Sequence, residues 1–343
     1  MSHLRAALRH QARSCAMLGS PFMERLLLLL ADRLAPGTPV TDRLFGWEGD
    51  IGSSGDSVPL RLAGALHGLV LGGHAGLRAV YPPEEATDEA LWAAVEAALR
   101  DEAEVLNRWL DSPPQTNEVR RSVALVAAAQ WLTARWNLPF DLYELGASAG
   151  LNLGFDRYAV ETPLGSLGPA APALTLRPDW TGALPHGPAA RVAARRGVDL
   201  RPLDPAQDRL RLLAYLWPDQ PERRTLTEAA IAAHTATVDA GDAAGWLEAR
   251  LAPAPGRLAL VYHTIAWQYF PATTRQRARA AIEAAAASAT DDAPLVWLGM
   301  EADGRQPGAA LSATLYPGGH THELGRIDFH GRWICWTAGP AAP

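Results

Sequence analysis

Phe140-Asp141-Leu142-Tyr143-Glu144-Leu145-Gly146-Ala147-Ser148-Ala149-Gly150-Leu151-Asn152-Leu153 is the stretch from which the fold reads. Its first six residues are short, apolar and strand-like. The next five form a small-residue turn, and the last three open a helical pattern. A tight turn between strand and helix lets a ligand approach the backbone, where the N–H groups of a helix N-terminus are free. The same turn also suits close strand–helix packing with no ligand.

Downstream, strands and helices alternate. Residues 158–188 are rich in Pro and Gly and read as loop with short strands. Residues 191–200 look like a strand ending in Gly197-Val198-Asp199, and residues 206–233 look helical. Gly241-Asp242-Ala243 leads into a helix through Trp246. Residues 257–266 and 294–300 read as buried strands around an alanine-rich helix at 271–288. Three short strands close the chain, near 310–316, 321–329 and 332–337. This alternation argues for an α/β fold with a parallel sheet, and the closing strands suit an antiparallel edge hairpin.

Upstream, nearly everything is helical. Residues 3–35 give two helical patterns split by Gly19-Ser20-Pro21, with Ser20 a cap and Pro21 at the first helical position. Further helices are expected at 57–73, 87–109 and 116–136. The chain thus divides into a helical region, 1–137, suited to cover a substrate, and an α/β domain, 138–343, with an insertion at about 158–188.

Composition narrows the chemistry. The 343 residues are 48% hydrophobic and 20% charged, enough for a sizeable core. A formal charge of −6 argues against holding nucleic acid by bulk charge. All 31 basic residues are arginine. Without lysine there is no pyridoxal-phosphate Schiff base and no Walker A loop. Cys15 and Cys335 lie at opposite ends, with no metal or redox spacing. Leu26 to Leu30 is too short to span a bilayer, and no secretory signal is visible, so a cytoplasmic location away from membranes is expected.

The run Glu144 to Gly150 is similar to the E-x-G-x-G-x-G loop of class I S-adenosylmethionine (SAM) methyltransferases, with Ser148 at the middle glycine. The resemblance implies a Rossmann-like sheet in which Glu144, Gly146, Ser148, Gly150 and Asn152 surround the methionine part of the cofactor. Asp199 resembles the acid that accepts hydrogen bonds from the ribose at the second strand's end. Asp242 resembles the acid that meets the adenine amino group after the third. No N-P-P-Y-type tetrapeptide follows the fourth strand; Val261 to Tyr269 stands there, where the family faces the transferred methyl. As a whole the chain resembles the bacterial domain-of-unknown-function family 2332. Gly49-Asp50-Ile51-Gly52, Gln115-Thr116-Asn117-Glu118, Glu144 to Leu153, Gly197-Val198-Asp199 and Trp217-Pro218-Asp219-Gln220 carry that likeness, which brings no established activity.

His263, near the end of a buried strand, is a candidate general base or a hydrogen-bonded core histidine. Glu118 is a second candidate base or a first-turn acid. Gln115, Asn117, Tyr262 and Trp267 are candidate substrate contacts. His320, His322 and Glu323 share a strand but lack a third metal ligand of supportive spacing, so no metal is expected. No G-x-S-x-G elbow exists for a serine hydrolase, and NAD is disfavoured without a full G-x-G-x-x-G. The expectation is a SAM-dependent methyltransferase acting on a small molecule. The alternative is a methyltransferase-like binding or regulatory protein without catalysis; turnover of the cofactor separates the two.

Overall fold

The computed structural model describes residues 3–53 and 55–339. Its strands, in chain order, are β1 (Phe140–Leu145), β2 (Tyr158–Thr162), β3 (Gly165–Leu167), β4 (Leu174–Leu176), β5 (Asp179–Thr181), β6 (Val192–Asp199), β7 (Thr237–Ala240), β8 (Leu258–Thr264), β9 (Leu295–Glu301), β10 (Ala309–Tyr316), β11 (His320–Ile327) and β12 (Trp333–Trp336). Nine of them form one sheet in the order β5-β12-β11-β10-β9-β8-β1-β6-β7, and β3-β2-β4 form a small second sheet. Five neighbouring strands, β9-β8-β1-β6-β7, run parallel. β10, β11 and β12 continue from β9 as an antiparallel meander.

Burial explains the two halves of this sheet. All seven residues of β8 are buried, the pattern of a strand covered on both faces. β10 alternates buried and half-buried residues, as a strand with one covered face does. Helices Ala243–Arg250 and Ala272–Ala286 share a core with the sheet, built from Leu145, Val198, Trp246, Leu247, Val261 and Ile282.

The chain divides into two compact units. One is Met1–Thr116 with Ala206–Thr225, and the other is Asn117–Pro205 with Leu226–Pro343. The first is helical, from His3–Met17 through Ala103–Leu110, with Arg209–Ala214 added from the later segment. Ser20 caps helix Pro21–Arg33 by accepting from the Met23 N–H, and its hydroxyl donates to Asp219 at 2.6 Å. Asp219 also accepts from the Phe22 N–H, so the first two helices are fastened to the Trp217–Gln220 turn. No described helix is long and apolar enough to cross a membrane.

Several boundaries differ from the sequence reading. The long helical stretch at 87–109 breaks at Glu102 into Asp88–Asp101 and Ala103–Leu110. The helix expected over 116–136 is Ser122–Thr133 after a short 3-10 turn, and it belongs to the sheet unit rather than to a helical region ending at 137. Eleven of its twelve residues are buried, and it packs on β2 and on the turn after the glycine loop. The residues after Gly150 form a 3-10 helix, Leu151–Arg157. The closing strands are antiparallel as expected but do not form the sheet's edge. β5, from the 158–188 insertion, pairs parallel to β12 outside them.

Candidate functional site

Parallel β1, β6, β8 and β9 end at the same sheet edge, so Gly146, Asp199, Thr264 and Glu301 lie along it. The chain goes from β1 to β6 on one side and later to β8 on the other. Strand order therefore reverses at β1, the place where open α/β sheets leave a crevice for ligands.

The glycine loop is tightly tied. Gly146, Ser148 and Gly150 all have positive φ, at 71°, 53° and 71°. A Cβ on Gly146 would lie 2.6 Å from the Ala266 Cβ, and one on Gly150 2.8 Å from Val238 Cγ2, so only glycine fits either place. The Gly146 and Ala147 N–H groups donate to the Val198 carbonyl, and the Gly150 N–H to the Ala147 carbonyl. The Ser148 N–H donates to Asp199 Oδ2 at 2.9 Å, and the Leu151 N–H to Asn117 Oδ1 at 2.9 Å. These five N–H groups are satisfied within the protein. Asp199 accepts a second bond from the Arg201 N–H through Oδ1. A carboxylate offers about four acceptor positions, so this one keeps room for a ligand donor on each oxygen.

The Gln115–Glu118 segment meets the glycine loop through its last two residues. Beyond the Asn117 bond, the Glu118 carbonyl accepts from Asn152 Nδ2 at 3.3 Å, and Asn152 Oδ1 accepts from the Ser122 hydroxyl at 2.7 Å. The Glu118 carboxylate is 2% exposed and accepts from the backbone and guanidinium of Arg120. That is the bonding of a structural acid rather than of a free base. Gln115 belongs to the helical unit.

Glu144 on β1 and Tyr262 on β8 face each other inside the sheet unit, the Tyr262 hydroxyl donating to Glu144 Oε2 at 3.4 Å. Burial pushes the Glu144 carboxyl well above its usual range; the Tyr262 hydrogen bond and the Arg121 guanidinium oppose this, while the Asp199 charge reinforces it. His234 sits where a Cβ on Gly150 would lie 3.5 Å from its Nε2, which is buried without a hydrogen-bond partner among the described residues. Burial and Arg157 lower its pKa, against the opposing pull of Asp204 and the Ala149 backbone.

His263 has both ring nitrogens engaged. Trp297 Nε1–H, which can only donate, points at Nε2 at 3.1 Å, so Nδ1 carries the proton and donates to Glu301 Oε1 at 2.8 Å. Glu301 Oε1 also accepts from the Ala266 and Trp267 N–H groups at 2.9 and 3.1 Å. The Trp267 ring stacks on His263 with centroids 4.8 Å apart. Arg121 Nη1 donates to the Thr264 carbonyl, and the Ile265 N–H donates to the Met300 carbonyl. These bonds hold Ile265 at φ 52°, a strained value for a β-branched residue, of the kind that gathers at functional sites. His263 thereby positions the 264–267 turn.

Asp242 caps helix Ala243–Arg250, accepting from the Gly245 N–H at 3.0 Å and from the Thr274 hydroxyl at 2.9 Å. Each of its oxygens thus takes one bond from the local structure. Among the described residues no group of three or more His, Cys, Asp or Glu side chains is arranged to hold a metal. The sequence reading did not single out Arg121, Ser122, His234 or Glu301. None carries a local motif, and each acts through a neighbour distant in sequence.

The model of a bacterial family described as "Uncharacterized protein conserved in bacteria (DUF2332)" matches residues 5–336, and the chain belongs to that family. No curated protein and no solved structure matches the chain at a significant level.

Proposed function

We propose that the sheet unit binds SAM at the Gly146–Gly150 loop and transfers its methyl group to a small molecule. The observation that carries this reading is the Asp199–Ser148 pairing. It sets an acid with spare acceptor capacity against a small-residue loop where strand order reverses. A carboxylate there suits a ribose diol, which donates twice. The β7-β6-β1-β8-β9 order supports a Rossmann-like reading of the sheet, with the antiparallel meander as a variation on the methyltransferase form. Because five N–H groups at the loop are spent internally, it offers little to a phosphate. A phosphate-free adenosyl sulfonium suits it better than a nucleotide.

Methyl transfer needs positioning and exclusion of water more than acid–base chemistry. Asp199 would hold the ribose, the loop the methionine part, and the Thr264–Trp267 turn the reacting end. Binding without turnover is the second reading, favoured by the engaged ring nitrogens of His263 and by the Ser148 side chain in the loop.

The test is the thermal unfolding midpoint of the chain with SAM, S-adenosylhomocysteine, NAD and ATP, followed by transfer from labelled SAM to a panel of small molecules. A ligand at a hundredfold its Kd adds about 2.7 kcal/mol, enough to raise the midpoint by several degrees. A shift with the two sulfur ligands that is absent in Asp199→Ala supports the site. No shift with either at millimolar concentration overturns it, and binding without transfer selects the second reading.

A further inference from the structure

Glu301 is a largely buried carboxylate, its side chain 16% exposed, and among the described residues the ion-pair neighbour it has is His263 rather than an arginine. The bond from Trp297 makes His263 the neutral, Nδ1-protonated tautomer, so that contact is a hydrogen bond and leaves the carboxylate charge unbalanced. Burial pushes the Glu301 carboxyl up, but the hydrogen bonds it accepts from His263 and from the Ala266 and Trp267 N–H groups outweigh this and hold the carboxyl below its usual range. The group is therefore ionised at neutral pH. Its Oε1 takes three donors, which fix the side chain, while Oε2 is buried with no hydrogen-bond partner among the described residues. Buried charges are ordinarily paired, and an orphaned buried acceptor of this kind calls for a partner.

The surroundings suit one class of partner. Half-buried Trp267 lies against Trp297 and Phe270, with centroids 5.4 and 5.8 Å apart. The Trp297 ring already carries the Arg279 guanidinium, 5.0 Å from its centroid, so this cluster attracts cations. A Cβ on Gly146 would lie 3.6 Å from the Phe270 ring and 2.6 Å from the Ala266 Cβ, which puts the cluster beside the glycine loop.

We propose that Glu301, with Trp267, Trp297 and Phe270, forms a recognition site for an amine, and that this amine nitrogen is the methyl acceptor. The second clause rests on the methyltransferase reading; the first does not. In the transfer, the nitrogen lone pair forms the N–C bond while the C–S bond breaks, its electron pair remaining on sulfur. The positive charge passes from sulfonium to ammonium. Glu301 then faces the charge that develops on nitrogen and stabilises it electrostatically. An ammonium has no lone pair, so its proton passes to solvent water before the transfer, and the transfer itself then moves no proton.

The probes are n-butylammonium chloride, n-butanol and sodium butyrate at matched ionic strength, read by the tryptophan fluorescence of the full chain. The expected result is a saturable change with n-butylammonium alone. Glu301→Gln, which keeps an oxygen for the three donors, should weaken that response at least roughly tenfold and leave the midpoint shift with S-adenosylhomocysteine unchanged. Trp267→Leu, which keeps its backbone N–H, should also weaken it. No saturable response to n-butylammonium, equal responses to all three probes, or an unaltered response in both variants overturns the amine site. Amine saturation without an S-adenosylhomocysteine shift retains the cation site and removes its assignment as the acceptor. An S-adenosylhomocysteine shift without amine saturation overturns the amine site and leaves the methyltransferase reading standing.

Discussion

Asp199 Oδ2 accepts a hydrogen bond from the Ser148 N–H at 2.9 Å, joining the end of β6 to the middle of the glycine loop. A bond to a charged acceptor is worth about 1.5–3 kcal/mol, and Asp199 makes a second one to the Arg201 N–H. Asp199→Ala should therefore destabilise the sheet unit by about 2 kcal/mol or more and abolish the midpoint shift with S-adenosylhomocysteine. Asp199→Asn keeps one acceptor oxygen and should fall between. Urea unfolding with and without the ligand separates the two effects. An intact ligand shift in Asp199→Ala would remove the acid from the binding site.

Ser148 stands in the left-handed region at φ 53°, and its Oγ is buried without a hydrogen-bond partner among the described residues. An L side chain there costs roughly 1–2 kcal/mol, and burying an unbonded hydroxyl adds to that. Ser148→Gly should then stabilise the unliganded chain by about 1 kcal/mol, after the extra chain entropy of glycine is subtracted. Ser148→Val should destabilise it by more than that. A lower denaturation midpoint for Ser148→Gly would mean that Oγ makes a bond in solution.

How far this site reads from sequence depends on how local each interaction is. The β1–loop–helix plan was legible because strand pattern and glycine turn lie within fourteen consecutive residues. Positions such as Gly146 need glycine for a reason partly visible in the turn itself. Asp199 and Asp242 look alike in sequence, each an acid after a strand. They differ because Asp199 reaches back to the loop, whereas Asp242 turns to its own helix N-terminus. The domain boundary was misplaced because Ser122–Thr133 has helical periodicity whichever unit it joins; the bonds of Asn117 and Ser122 to the loop decide the matter. Glu301 was invisible because its role is set by His263, 38 residues away.

The cap at Asp242 gives a further prediction. Losing an N-cap side chain costs about 0.5–2 kcal/mol, and here a bond to Thr274 is lost as well. Asp242→Ala should lower stability by about 1–2 kcal/mol while leaving the Kd for S-adenosylhomocysteine, measured by calorimetry, within about twofold of the unmutated chain. A tenfold weaker Kd would show that the carboxylate serves a ligand as well as the helix.

The last prediction concerns pH. Burial raises the Glu144 carboxyl well above its ordinary 4.5, so the folded chain keeps this proton at pH values where the unfolded chain has released it. Below the unfolded value both states are protonated, and Glu144 imposes no pH dependence. Between the unfolded and the raised folded value the native state binds more protons, so stability falls as pH rises, by at most ~1.4 kcal/mol per pH unit. Above the folded value the loss is complete. Glu144→Gln removes the titration while keeping an amide of the same shape opposite Tyr262. The difference in unfolding free energy between Glu144→Gln and the unmutated chain should therefore grow in favour of the variant from about pH 5 upward. Urea unfolding at successive pH values measures it directly, with the other titrating groups cancelling in the difference. A difference that stays flat above pH 5 would mean that Glu144 ionises as it does in the unfolded chain. One that grows in favour of the unmutated chain would mean that a cation, such as the Arg121 guanidinium, holds Glu144 charged in the folded state.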